Sequence, residues 1–308
     1  MAASTGGSGR AISAGLAHGF LLGAQLLIMR VIGDQAGSIA LTWGMLLASN
    51  FIIAIWLTWT GQWSAVRHGL GRWRQWLCVG VTNGALTYLT MAGVHFSGAA
   101  NAGILTRTDL LFGLLLAFVI YRERSHPVEL AGGAIMLCGV FSVLGISLSD
   151  IHLQSIGDVY LLMAGLLLAV NAIIIKYGLR SLTGASIAFY NTLVASVFLT
   201  LVISCTGGWS QAIPLLGQSV ALSVLAIGFM QAFALLTYYY ALERFPVWIA
   251  RSFGLITPIV ALAGSTLFLA EELTARQVYG TVIALVGMAI IFIQRGRAAG
   301  QHVAAQPI

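Results

Sequence analysis

Long apolar stretches separated by short polar turns fill almost the whole chain. A helix needs about 20 mostly apolar residues to cross a bilayer, and ten segments of this sequence meet that requirement. They cover 11–30, 38–60, 74–94, 99–121, 127–147, 157–177, 184–206, 216–241, 246–270 and 275–294. The loops between these segments are too short for a soluble domain. The pattern therefore predicts an all-α polytopic membrane protein, with spans numbered 1 to 10 in chain order.

The composition supports this class, because 59% of the residues are hydrophobic and only 8% are charged. A soluble domain has about 25% charged residues. The sequence contains no nucleophile–base constellation, phosphate loop or metal-ligand cluster, so we expect no enzyme, no cofactor, no metal and no nucleic-acid partner. Cys78, Cys138 and Cys205 show no metal or disulfide spacing. We expect them to be small buried side chains.

The distribution of positive charge predicts how the chain crosses the membrane. With the N-terminus in the cytoplasm, eleven Lys and Arg residues fall inside and two outside, and Arg107 and Arg251 fall within spans. Cytoplasmic loops carry the excess of positive charge in membrane proteins. The bias predicts that both termini are inside, and the expected location is a bacterial inner (plasma) membrane.

The second half of the chain repeats the first at a shift of 148 residues. The matched pairs include Glu123 with Glu271, Gly132 with Gly280, Leu137 with Leu285, and Gly139 with Gly287. Five spans per half is an odd number, so the second repeat must enter the membrane from the opposite side. Inverted repeats of this kind suit alternating access. We predict repeats at 11–147 and 157–294, with tails at 1–10 and 295–308.

Each half has an acidic turn before its last span, followed by a helix that contains glycine. The turn reads Glu123-Arg124 with Pro127 in the first half, and Glu271-Glu272 in the second, where no matching proline is present. With these motifs and ten spans in two halves, the chain resembles the EamA-type transporters of the drug/metabolite transporter superfamily over essentially its whole length. The resemblance implies transport of a small organic molecule. It also implies a central cavity lined mainly by spans 1, 3, 4, 6, 8 and 9.

Span 4 carries two charges in the middle of an apolar segment. A charge inside a bilayer costs about 2.5–3.5 kcal/mol on insertion scales, so it normally faces a cavity or a partner. We favour Arg107 as the cation that receives an anionic substrate group over a purely structural ion pair. Asp109 points to nearly the opposite side of the helix, so Arg107 is not its intrahelical partner. It is equally well read as a proton-coupling group or as a hydrogen-bonded structural aspartate.

Span 9 contains a third intramembrane charge, Arg251, which matches Gly103 in the repeat. Gly103 lies one turn before Arg107, so the two arginines are candidates to approach the substrate from opposite halves. Snorkelling to the nearby cytoplasmic boundary explains Arg251 equally well. Pro258 follows seven residues later and should kink the span, as a gating hinge or through packing alone.

Four uncharged amides occupy matching positions in the two halves, all on spans that the resemblance assigns to the cavity. Asn83 matches Gln231, and Gln25 matches Asn171. Amides facing lipid would lack partners, so these should face inward. There they either orient a substrate or hydrogen-bond neighbouring helices.

Three ring side chains are further candidates for the site. Tyr88 and Tyr238 can stack on a ligand, although aromatic packing is the more common role. His18 lies two turns before Gln25 and is a candidate for proton coupling. A satisfied core histidine is the simpler interpretation.

Together these features predict a secondary active transporter of a small organic metabolite with a carboxylate or other anionic group, working by alternating access. For bacteria the resemblance favours export. The expected partners are the metabolite, the bilayer and candidate coupling protons, for a monomer or homodimer. The alternatives are a lipid or amphiphile flippase and, less well supported, an intramembrane enzyme.

Overall fold

The computed structural model describes residues 5–32, 38–97, 108–121, 126–144, 155–212, 215, 217–269 and 274–304. Within these ranges every regular element is a helix. Residues 99–107 of predicted span 4, and with them Arg107, lie outside the described residues.

The helices follow the predicted spans closely along the chain. The first half contains α1 (Thr5–Ile32), α2 (Ser38–Trp59), α3 (Trp63–Gly69), α4 (Trp73–Ser97), α5 (Thr108–Tyr121) and α6 (Pro127–Leu144). The second half contains α7 (Ile156–Ile173), α8 (Gly184–Thr206), α9 (Gln218–Leu242), α10 (Val247–Ser252), α11 (Ile256–Leu269) and α12 (Ala275–Ala304). The all-helical class predicted from the sequence is confirmed for the described residues.

Four described helical segments are both long and apolar enough to cross a membrane by length and composition. They are Ile39–Trp59, Ile156–Gly178, Gly184–Thr206 and Val220–Leu242. These segments agree with an integral multi-pass membrane protein. A described helix overlaps each of the other predicted spans, but the count of ten and the orientation of the termini stay predictions.

Local sequence signals set several helix ends. At the start of α7, the Ser155 hydroxyl accepts from the Asp158 backbone N–H, and the Asp158 carboxylate accepts from the Ser155 N–H. This reciprocal capping satisfies two donors that a helix start leaves open. Helix α8 ends at Gly207, which has a φ of 70° and provides the left-handed cap for which glycine is favoured.

The structure departs from the predicted elements at three places. The connection between spans 2 and 3 contains the short helix α3 and a 3₁₀ turn, Leu70–Arg72. Helix α7 continues into a π-helical turn, Ile174–Gly178. Helices α1 and α12 extend into the predicted tails.

Predicted span 9 is divided by a 3₁₀ turn shortly before Pro258. Helix α10 passes into a 3₁₀ turn, Phe253–Leu255, and α11 begins again at Ile256. Pro258 therefore lies in the first turn of α11, where its missing N–H leaves no backbone carbonyl without a donor. The end of α10, which carries Arg251, and the start of α11 are therefore joined by a three-residue turn.

The last helices of the two halves, α6 and α12, pack against each other along glycines. A Cβ added to Gly139 would lie 2.3 Å from Ala284 N and 2.6 Å from Gly280 O, and Gly132 approaches Gly287 in the same way. The contacts pair increasing numbers on α6 with decreasing numbers on α12, so the helices run antiparallel. This is the arrangement expected when equivalent helices of two inverted repeats meet.

The glycine ridge of α1 packs equally closely on the interrupted span. Added Cβ atoms would meet the Phe253 ring at Gly15, the Phe253 carbonyl at Gly19 and the Val260 side chain at Gly23. Small residues let helix backbones approach in this way. The ridge fixes α1 against the Phe253–Leu255 turn and α11, directly after the charged residue of span 9.

The expectation that the cysteines are buried was wrong, because Cys78, Cys138 and Cys205 are all exposed. Large apolar side chains are exposed as well, including Leu267 at 78% and Phe268 at 81%. A surface that faces lipid is itself apolar, so an apolar run does not identify the interior. The described residues contain no group of metal-ligating side chains.

We predict that Gly139→Ala lowers the thermal stability of the purified protein in detergent. The added methyl would overlap the α12 backbone, and overpacking of this kind costs about 1–3 kcal/mol. Gly9→Ala is the matched control, because Gly9 is exposed in α1 with nothing within 4 Å of an added Cβ. Equal melting temperatures for the two variants would refute the close packing of α6 on α12.

Candidate functional site

A cavity of about 260 Å³ lies between the two halves of the bundle. It is lined by residues of α1, α4, α7, α8, α9, α10 and α11 and of the turn between the last two. Its polar lining consists of His18, Asn83, Asn171, Asn191, Gln231, Tyr238, Tyr239, Arg251 and Thr257. We call this space the central cavity. Arg251 is the one Asp, Glu, Lys or Arg side chain among its described lining residues.

Arg251 forms an ion pair with Asp109 of the opposite half. Its Nε donates to Asp109 Oδ2 at 2.9 Å, and a terminal guanidinium nitrogen donates to the same oxygen. The Asp109 side chain is 2% exposed and that of Arg251 is 14% exposed. The pair therefore neutralises two intramembrane charges and joins α5 to α10 beside the central cavity.

This geometry identifies a partner that the sequence left open for Asp109. It also shows that the Arg251 guanidinium contacts Asp109 and lines the cavity. The second carboxylate oxygen, Asp109 Oδ1, is buried and has no hydrogen-bond partner among the described residues. Asp109 thus keeps one unused polar atom.

Tyr238 lies between Arg251 and His18. Its ring centroid is 5.8 Å from the guanidinium carbon of Arg251 and 5.0 Å from the His18 ring centroid. The Tyr238 hydroxyl is buried without a hydrogen-bond partner in the described part of the chain. His18 Nδ1 donates to the Ala234 carbonyl at 2.9 Å. His18 is therefore a buried, hydrogen-bonded histidine that also forms part of the cavity wall.

The four matched amides have different surroundings. Asn83 and Gln231 line the cavity, and neither side-chain amide makes a hydrogen bond to a described residue. Asn171 also lines the cavity, but its Nδ2 donates to Val79 O at 2.7 Å and to Thr82 Oγ1 at 2.9 Å, which ties α7 to α4. Gln25 is buried outside the lining, with its Nε2 2.9 Å from Met45 Sδ. A matched sequence position thus does not ensure a matched environment.

Two other predicted site residues are placed away from the lining. Tyr88 is 37% exposed on α4 and is not a lining residue. Pro258 lies in α11 next to the lining residue Thr257, and only its backbone is described. Arg107 is outside the described residues, so its relation to the cavity stays a prediction.

Sequence reasoning missed Asn191, Tyr239 and Thr257 as lining residues. Asn191 Nδ2 donates to the Tyr239 hydroxyl at 2.5 Å, and the Asn191 oxygen has no partner among the described residues. Asn191 lies on α8, in predicted span 7, which the resemblance did not assign to the cavity. An amide within that apolar span was a signal that was available from the sequence.

Comparison with known protein families divides the chain into the same two halves. The EamA-like transporter family matches residues 9–145 and again residues 155–293, which is one copy for each half of the chain. The chain belongs to the EamA-like transporter family. This match confirms the family predicted from the sequence. Members of the family are membrane transporters of small molecules and not enzymes. Substrate and direction are not given by membership.

The fold is also found in a solved structure. A crystal structure with 15% sequence identity covers 92% of this chain and 97% of its own chain, with a TM-score of 0.77. At that identity the likeness concerns the fold alone. No curated protein matches the EamA-like chain.

We predict that Asp109→Asn destabilises the protein far more than loss of an exposed ion pair. Removing one partner of a buried pair leaves the other charge uncompensated and costs roughly 3 kcal/mol or more. Glu243→Gln is the control, since the Glu243–Arg244 pair is exposed and such pairs contribute about 0–1 kcal/mol. Thermal unfolding in detergent measures both.

The double variant Asp109→Asn/Arg251→Gln tests whether charge pairing causes the loss. It removes both charges and should recover part of the stability that Asp109→Asn alone loses. A double variant less stable than Asp109→Asn, or a loss no greater than that of Glu243→Gln, would contradict a structural ion pair.

Proposed function

We propose that this protein is a secondary active transporter that carries a small organic anion, such as a carboxylate-bearing metabolite, through the central cavity by alternating access. The observation that carries the proposal is Arg251, a cation within a cavity whose other described polar residues are amides, hydroxyls and one histidine. A guanidinium in a water-poor site binds carboxylates through charge-assisted hydrogen bonds.

The size of the cavity favours a small cargo. Its volume of about 260 Å³ lies below the roughly 300–1,000 Å³ typical of pockets for drug-sized ligands. A metabolite with a few carbon atoms fits that space better than a lipid with acyl chains does, so the flippase alternative is less well supported. Asn83, Gln231 and Tyr238 would orient the remainder of the molecule through their unused polar atoms.

Asp109 would act as an internal counter-ion for Arg251. In the absence of substrate the carboxylate occupies two nitrogens of the guanidinium, and a substrate carboxylate would bind the third nitrogen or displace Asp109. Protonation of Asp109 would weaken its hold on Arg251 and so favour entry of the anion. This competition gives a physical route for coupling protons to transport. His18, whose ring donates to Ala234, would contribute mainly to the cavity wall.

The direction and location of transport complete the proposal. We place the protein in a bacterial inner membrane with both termini in the cytoplasm, on the basis of the eleven-to-two bias of positive charges. The superfamily resemblance supports export, in which the anion and its proton would leave together, driven by the outward gradient of the metabolite. Arg107, if it also reaches the cavity, would add a second cation to the same site.

The test is flux into proteoliposomes that contain the purified protein, with radiolabelled small organic acids, amines and neutral solutes as probes. We expect an organic acid to be transported, and Arg251→Lys to raise its KM by about tenfold or more, because a lysine lacks the planar fork. Arg244→Lys, at an exposed arginine outside the cavity lining, should leave KM unchanged.

Competition between Asp109 and the substrate carboxylate for Arg251 predicts a second measurable effect, on ligand affinity. The transported acid should raise the melting temperature of Asp109→Asn by more than it raises that of the unsubstituted protein, since a bound ligand stabilises the folded state according to its affinity. If no organic acid crosses the membrane, or if Arg251→Lys leaves KM unaltered, the proposed substrate class is wrong.

A further inference from the structure

A second cavity of about 380 Å³ lies at the end of the bundle where α7 and α9 end and α8 begins. We call it the end cavity. Its lining residues are Ile175, Lys176, Tyr177, Leu179, Arg180, Leu182, Ile187, Tyr239, Leu242 and Glu243. The residue that lines both cavities is Tyr239. The predicted orientation puts this end of the bundle on the cytoplasmic side.

The two cavities are stacked along the same three helical segments, one turn apart. The central-cavity residues Asn171, Asn191 and Tyr238 are each followed, four residues along their helices toward this end, by the end-cavity residues Ile175, Ile187 and Leu242. Because α8 runs opposite to α7 and α9, its numbering decreases in that direction. The same shift on all three segments describes one path from the central cavity to the end of the bundle.

Tyr239 forms the wall across this path. Tyr239 is 2% exposed and lines both cavities, so it lies buried where they adjoin. Its hydroxyl accepts the hydrogen bond from Asn191 Nδ2, which joins α9 to α8 at the level of the wall. The bond is a single contact between two side chains, and a small change in either helix would break it.

The end cavity carries positive charge. Lys176 and Arg180 contribute two cations to its lining, whereas Glu243 is paired with Arg244 at 3.1 Å. Lys176 Nζ donates to the Phe245 carbonyl at 2.8 Å and lies 5.5 Å from the Tyr177 ring centroid, so its position is fixed by the protein. With two cations against one carboxylate the lining has an excess of positive charge, and a concave site with such an excess concentrates anions.

We propose that the end cavity is a vestibule that binds the transported anion, and that the Tyr239–Asn191 hydrogen bond is the gate between the vestibule and the central cavity. The anionic nature of the cargo rests on the proposed function, whereas the gate and the charge preference of the vestibule are measurable without transport.

The gate is tested by the rate at which a thiol in the central cavity reacts with a membrane-impermeant maleimide. The three exposed native cysteines are first replaced by serine, and Gln231→Cys places the thiol in the central-cavity lining. Oriented membrane vesicles expose either the end that carries residues 177–183 or the opposite end to the reagent. Tyr239→Phe and Asn191→Ala each remove the gate hydrogen bond from one side.

We expect either variant to raise labelling from the vestibule end by about three- to tenfold, since a net hydrogen bond contributes close to a factor of ten in an equilibrium. The double variant should label no faster than the single ones. Tyr190→Phe is the matched control, because the Tyr190 hydroxyl donates to Val66 O and lines neither cavity. Unchanged labelling in both gate variants, or an equal rise in Tyr190→Phe, would overturn the gate.

If the gate variants do not fold, the gate can still be tested in a protein that keeps both Tyr239 and Asn191. A thiol at Tyr177→Cys in the vestibule should react from this end at least tenfold faster than the thiol at Gln231→Cys. Similar rates at the two positions would mean that no closed wall separates the cavities, and the gate assignment would be wrong.

The charge preference of the vestibule is tested at Tyr177→Cys with sulfonatoethyl and trimethylammonioethyl methanethiosulfonates. Relative to its rate with a free thiol, the anionic reagent should react faster at Tyr177→Cys than the cationic reagent does. Arg180→Gln should reduce this preference several-fold. A preference for the cationic reagent, or no effect of Arg180→Gln, would refute an anion vestibule. If the preference is present but no organic acid is transported, the proposed function fails and the vestibule stands.

Discussion

The arrangement of the cavity depends on the ion pair between Asp109 and Arg251. Each charge is costly alone in a bilayer, and each offsets part of the other's desolvation cost only if α5 and α10 meet at the correct rotation. That requirement fixes span 4 of one half against span 9 of the other, next to the cavity. The close packing of α1 on the Phe253–Leu255 turn holds the end of α10 in place from the other side. Charge compensation and glycine packing therefore position the same arginine.

The bundle is nearly symmetric, and the exceptions to symmetry coincide with the polar site. Helix pairs recur in both halves, since α4 packs on α7 and α8 as α9 packs on α1 and α2, while α6 and α12 meet each other. The ion pair does not follow this pattern. Asp109 matches Thr257 in the repeat, a cavity residue whose hydroxyl lies 3.4 Å from Gly19 O, and Arg251 matches a glycine. Two equivalent scaffolds thus surround a site whose charges are not symmetric. A carrier that binds the charged end of its substrate differently from the other end requires such asymmetry.

The fold was predictable because a bilayer imposes simple rules on sequence. Backbone groups must be satisfied within each span, so long apolar runs become helices, and an odd number of spans per repeat inverts the second half. The site was only partly predictable. The sequence shows that Asp109 needs a partner, but which side chain meets it depends on helix rotation and on the break at Phe253–Leu255. Gln25 and Asn171 match in sequence yet face different neighbours, because the first packs at Met45 of α2 and the second at Val79 of α4. The cysteines show the same limit, since lipid-facing and buried positions are both apolar.

Where the pair lies matters for how a transporter of this kind changes state. Alternating access moves one half relative to the other, and the Asp109–Arg251 pair crosses that boundary. If motion separated the two charges without replacement, each would be left uncompensated in a medium of low dielectric constant, at a cost that would block the transition. A substrate anion on Arg251 and a proton on Asp109 are the two changes that remove this cost together. On the proposed function, either ligand alone leaves one of the two charges uncompensated, so the pair opposes movement of a carrier that holds one ligand without the other. A coupled transporter needs this behaviour to avoid uncoupled leak.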